Sequence, residues 1–176
     1  MTARAHLPTH NTPIIFGSLP WTPGSIFRLV PGGEVRLRHG FIIKCERIDK
    51  DATGNVVTIH ATYDPATKSG SGGRNVKGAI HWVSKADGIR AEVRLYDRLF
   101  NVENPDSGEG DYRTCLNPDS LKSVTAWLEP SLANAKAGES YQFERNGYFT
   151  PDRMDSKPHA LVFNRAVTLK DGWKPT

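Results

Sequence analysis

Between Ser25 and Ile48 the chain carries Arg28, Arg36, Arg38, Lys44 and Arg47 against only Glu34 and Glu46. Arg36 and Arg38 are two residues apart, so in a strand they share a face and hold two guanidinium forks side by side, where phosphate oxygens can meet both. A solvated outer sheet face accounts for the same pattern. A second constellation lies in YQFERNGYF (141–149), where Gln142 precedes Arg145 by three positions. Residues three apart in a regular strand face opposite ways, but Arg145 abuts Asn146-Gly147, a strong hairpin signal, and a turn there redirects it toward Gln142. Glutamine offers a donor and an acceptor, and arginine a rigid donor fork. Those are the groups that read the edge of an unstacked base. Ordinary polar hairpin residues explain this pair as well.

Chemistry of other kinds finds little support. The six histidines (His6, His10, His39, His60, His81, His159) are spread over different loops and strand-like segments, and no helical metal-ligand motif unites them. Nothing matches GxSxG, a P-loop or GxGxxG, so the sequence predicts no catalytic residue and no metal. Cys45 and Cys115 are far apart and isolated, which argues against a disulfide framework and for a reducing compartment.

These side chains need strands to hold them. From Glu34 to Cys45 the pattern has period two, with Val35, Leu37, Phe41, Ile43 and Cys45 on one side, Arg36, Arg38, Ile42 and Lys44 on the other, and Gly40 as a bend. Residues 49–55 (DKDATGN) read as a turn and 56–63 as the returning strand. A second hairpin is expected from 76–83 and 91–100 through Asp87-Gly88. Further strands are expected at 112–116, 121–128, 141–144, 148–150 and 161–169. One short helix is expected at 131–137, between Pro130 and Gly138. Eight or nine short strands with one helix predict an all-β fold, an antiparallel sandwich or barrel.

The 176 residues are enough for one large or two small domains, and 38% hydrophobic with 24% charged residues excludes a disordered tail. The net charge of +4 is a mild pointer to an anionic partner. No apolar run reaches the length of a membrane helix, so a soluble, cytoplasmic protein without a membrane partner is expected. Residues 1–24 hold four prolines and no sustained period, and they read as a divergent leader partly anchored through Ile14, Ile15, Phe16 and Trp21.

Six collinear segments, FRLVPGGEVRLR (27–38), VKGAIHWV (76–83), VRLYDRLF (93–100), EPSL (129–132), QFERNGYF (142–149) and FNRAVTLKDGW (163–173), resemble the C-terminal anticodon-binding region of glutaminyl-tRNA synthetases, class I enzymes of the Glu/Gln type. The resemblance implies antiparallel β-barrels of the glutaminyl-tRNA synthetase anticodon-binding type over residues 25–176, two linked barrels with early strands missing. It implies the anticodon loop of glutamine tRNA as partner, together with a catalytic synthetase domain. Arg28 matches the arginine that reads the third anticodon base, Arg36 and Arg38 match arginines serving the first base and nearby backbone, and Gln142 and Arg145 match the pair that recognises the middle uridine. ATP belongs to the family's catalytic domain. Neither HIGH-type nor KMSKS-type motifs occur in this chain, so it is expected to lack that domain, to need no cofactor, and to be inactive alone. The competing reading is a non-catalytic β-barrel remnant that binds another protein or a second copy through an open edge.

Overall fold

The computed structural model describes residues 14–16 (backbone only), 29–70, 74–107 and 110–169. The chain divides into two compact units, Met1–Gly88 and Ile89–Thr176.

In the first unit, β1 (Ile14–Phe16) pairs with β6 (Trp82–Ser84), while β2 (Glu34–Leu37), β3 (Ile42–Lys50), β4 (Val56–Asp64) and β5 (Ala79–Ile80) form a sheet in the order β4-β3-β2-β5. The period-two segment is a hairpin rather than one bent strand. The Gly40 N–H donates to the Leu37 carbonyl at 2.8 Å, closing a tight turn with His39 at φ 58°. Val35, Leu37, Ile43 and Trp82 are buried together, with Leu29, Tyr63 and Ile80 packed on them. Ile42, which alternation sets on the arginine side, is also buried. Its N–H donates at 2.9 Å to Oγ1 of the buried Thr67, whose hydroxyl donates to the Asp64 carbonyl. The turn at 49–55 forms as expected: Asp51 Oδ1 accepts from the N–H groups of Thr53 and Asn55, both at 2.9 Å. The Thr53 hydroxyl, which donates to the same oxygen at 2.7 Å, and after it these backbone donors favour the carboxylate and hold Asp51 below its usual range.

The second unit is a five-stranded sheet in the order β8-β7-β11-β10-β9. Its strands are β7 (Ile89–Tyr96), β8 (Leu121–Leu128), β9 (Tyr141–Phe143), β10 (Gly147–Pro151) and β11 (Leu161–Val167). Its inner face buries Ala91, Val93, Ala126, Leu128, Phe143, Phe149, Leu161 and Phe163.

The all-β class holds, and five details differ from expectation. No sheet closes into a barrel among the described residues: β4 and β5 edge one sheet, β8 and β9 the other. Not every pairing is antiparallel, because β2–β5 and β7–β11 run parallel. The hairpin expected across Asp87-Gly88 is absent, since β5 pairs with β2, β6 with β1, and β7 with β8 and β11. Gly88 instead closes a local turn onto the Ser84 carbonyl at 2.8 Å. The expected helix is a 3-10 turn over Pro130–Asn134 with no buried residue, too short and too exposed for a packed helical face. Residues 112–116, expected as a strand, are a 3-10 turn over Tyr112–Cys115 capped by the Asp111 carboxylate.

Arg94 ties the loop after β10 back to β7. Its Nε lies 2.8 Å from Glu92 and its Nη1 2.6 Å from Asp155. Asp152 Oδ1 accepts the N–H groups of Met154 and Asp155, and Oδ2 accepts from Asn164 Nδ2 at 2.7 Å. The backbone donors, led by that of Asp155, hold the Asp152 carboxyl down at about 2, against 3.8 for the free side chain. A depressed folded pKa gives stability that is present above pH 3.8 and is lost as pH falls toward 2. Urea midpoints measured across pH 2–5 should therefore fall more steeply for the wild type than for Asp152→Asn, the difference isolating this residue from the other carboxylates.

Candidate nucleic-acid interface

The β9–β10 hairpin is held by its inward aromatic rings. Phe143 stacks on Phe149 with centroids 4.2 Å apart and an interplanar angle of 16°, and Phe163 lies 5.3 Å from Phe143. Alternation sends the intervening residues outward. Gln142 and Tyr148 are both exposed and stand directly opposite each other in the ladder. The Asn146 N–H donates to the Phe143 carbonyl at 2.8 Å and Asn146 Nδ2 to the Glu144 carbonyl at 2.9 Å, so the connection is Glu144-Arg145-Asn146.

The left-handed residue of this turn is Arg145, at φ 64°, and not Asn146. That conformation costs an L residue about 1–2 kcal/mol. Gly147, at φ 145°, begins β10, where a Cβ would lie 2.5 Å from the Val167 carbonyl oxygen of β11. The glycine is thus required by a neighbouring strand's approach as much as by the turn. Gly147→Ala should destabilise the second unit by about 2–3 kcal/mol, read as a lower denaturant midpoint with an unchanged slope.

Among the described residues, neither the Gln142 nor the Arg145 side chain has a hydrogen bond or ion pair, and both are exposed. Their polar groups are uncommitted and near one hairpin tip. The arginines of the first unit are arranged differently. Arg28 lies outside the described residues. The N–H groups of Arg36 and Arg38 donate to the Gly78 and Ile80 carbonyls at 3.2 and 2.9 Å, and the intervening Leu37 is fully buried. The two side chains consequently share the outer side. The Arg38 carbonyl also accepts from Trp82 Nε1 at 3.0 Å, which fixes the backbone at the strand end. The Arg36 guanidinium is engaged by carbonyls: Thr67 at 2.7 Å, Arg74 at 3.0 Å and Gly40 at 3.4 Å. It ties Thr67 and Arg74 to β2 while its charge meets no carboxylate among the described residues. Arg74 itself pairs bidentately with Glu34.

The structure therefore brings Gln142 and Arg145 to one hairpin and Arg36 and Arg38 to one strand end, in different units. Tyr148, opposite Gln142, also faces outward and is a neighbour of the candidate pair that no sequence motif singles out. Its signal was the alternation in GYF, with Phe149 buried and Tyr148 out. Among the described residues no cluster of three or more His, Cys, Asp or Glu could hold a metal ion, and no helix is long and apolar enough to cross a membrane.

Two stretches match the anti-codon binding domains of class I tRNA synthetases (E and Q): residues 23–64, which contain Arg28, Arg36 and Arg38, and residues 79–152, which contain Gln142 and Arg145. The chain belongs to that family. Among its relatives, the glutamine–tRNA ligases of Cupriavidus metallidurans and Ralstonia pickettii are each 56% identical over 154 residues, 86% of this chain and 26% and 27% of their own lengths. That of Yersinia pestis is 55% identical over 148 residues, 83% of this chain and 26% of its own. This anticodon-binding region thus spans about a quarter of the length of the curated relatives it matches.

Proposed function

We propose that this anticodon-binding region grips the anticodon loop of glutamine tRNA in support of aminoacylation by a catalytic synthetase domain. Gln142 and Arg145 read the middle base, a uridine, by its edge. Arg28 reads the third base, and Arg36 and Arg38 serve the first base and the backbone around it. The observation that carries the reading is the hairpin tip, where an amide and a guanidinium stand exposed and uncommitted inside the matched residues 79–152. Sequence-specific RNA recognition targets bases splayed out of single-stranded loops, and planar donors meet their edges while arginines meet phosphates. Unpaired Cys45 and Cys115 suit the cytoplasm, the compartment proposed for it.

Titration of the chain with glutamine tRNA and with an anticodon-scrambled version at matched salt tests the proposal. Specific binding to the first is expected. Neutralisation of about three phosphates would give log affinity a slope near −2 against log salt. Equal affinities would sink the reading. Aminoacylation by the chain alone should be blank, because its sequence has neither of the family's ATP motifs.

A second reading, self-association, is favoured by β4, a nine-residue edge strand with Val56 54% and Val57 66% exposed. A monomer by light scattering at high concentration removes it.

A further inference from the structure

We infer that Tyr148 is the stacking surface for the base whose edge Gln142 and Arg145 read, so that an unstacked nucleobase of a single-stranded RNA loop lies on the outer face of β9–β10. The inference rests on the RNA reading above and assigns that face its apolar component. Edge-reading donors give direction to a base but cover none of its surface, and a splayed base gains most of its binding from an aromatic or guanidinium plane beneath it.

Tyr148 has the placement for this. Its ring is 41% exposed, unlike the buried Phe143 and Phe149 that alternate with the outer positions of the same two strands. Its ladder partner on β9 is Gln142. On the other flank the β10–β11 register shifts: Phe149 faces Arg165 while Tyr148 faces Val167, leaving Ala166 unpaired. That bulge turns Val167, 56% exposed, onto the outer face beside Tyr148. The ring is thus bordered by an aliphatic side chain on one side and an amide on the other, with Arg145 two positions before Gly147 at the turn. Among the described residues the Tyr148 hydroxyl makes no hydrogen bond, so the fold does not use it as a donor or acceptor. Stacking uses the ring and not the hydroxyl, which separates it from a hydrogen-bonding role.

The test uses the full chain, an anticodon stem-loop RNA with the glutamine anticodon, and the same RNA made abasic at the middle position, with affinities measured by fluorescence anisotropy at one salt concentration. Tyr148→Ala should weaken binding of the intact RNA roughly 5- to 100-fold, and Tyr148→Phe should change it less than about twofold. Tyr148→Leu, which keeps apolar bulk on the strand, should lose about as much as Tyr148→Ala and guards against a folding defect. On the abasic RNA the wild type and Tyr148→Ala should bind nearly alike. Wild-type affinity in both Tyr148→Ala and Tyr148→Leu overturns the inference while leaving edge reading by Gln142 and Arg145 intact. A loss that persists undiminished on the abasic RNA overturns it too, because the ring then acts elsewhere. Failure of the wild type to distinguish the glutamine anticodon from a scrambled one defeats the RNA reading itself, and this inference with it.

Discussion

Phe149→Ala should cost the second unit about 3–5 kcal/mol, the range for truncating a fully buried phenylalanine. Phe149 is 0% exposed, stacks on Phe143, and sits in the β10 ladder between the tyrosine that faces outward and the strand's turn toward Asp152. Phe143, the ring that stacks on it, also packs against Phe163 at 5.3 Å, and the β11 backbone runs close to Gly147, which limits how far the hairpin can close over the space. The stability of a small domain is commonly about 5–15 kcal/mol, so this one change removes a large fraction of it. Urea unfolding followed by far-ultraviolet circular dichroism reads the loss. Phe149→Leu, which keeps most of the volume, should cost less than half as much. The functional consequence follows from alternation. The outward positions of Gln142 and Tyr148 are set by the inward burial of Phe143 and Phe149, so RNA affinity should fall with the hairpin's order even though Phe149 itself faces the core. A Phe149→Ala chain that unfolds at the wild-type midpoint would show that the aromatic stack does not hold this hairpin.

The parts of this fold that sequence reasoning reached are those written in neighbouring residues. The hairpins 42–64 and 141–151 announce themselves by alternation on either side of polar turns, and the pair Gln142 and Arg145 was legible because its hairpin is local. What it missed depends on residues distant along the chain. Arg36 reads as an uncommitted outward arginine, whereas Thr67 and Arg74, 31 and 38 residues on, supply carbonyls to its guanidinium. The parallel pairings β2–β5 and β7–β11 leave no periodic trace, since a parallel partner comes from beyond an intervening connection. In the same way, Asn146-Gly147 marked the hairpin correctly but not its conformation. The left-handed residue is Arg145, and Gly147 is explained by the Val167 carbonyl. The 131–137 segment failed for an energetic reason. Two turns of helix with no buried face cannot offset nucleation.

Arg145 offers the sharpest separation of function from stability, because its backbone and its side chain pull in opposite directions. Under the proposed function, Arg145→Gly removes the guanidinium that meets the base edge and should weaken binding of the glutamine anticodon by about 1–3 kcal/mol, with relaxed discrimination at the middle base alone. The same change relieves a left-handed L residue at φ 64°, so the second unit should not lose stability and should gain up to about 1 kcal/mol. Arg145→Ala keeps the strain and removes the same group, which predicts equal loss of binding without the gain. Gln142→Ala, on the outer face of β9, should relax discrimination at that same base, and the double variant should fall short of the sum because both groups meet one ligand. Arg38→Ala should instead weaken all RNAs alike and lower the salt slope by about 1, as a phosphate contact does. Arg36→Ala should add instability of the first unit, since three carbonyls lose their donor. Paired titrations and urea curves on Arg145→Gly decide the matter: lost stability with unchanged RNA affinity would make this arginine a turn residue and nothing more.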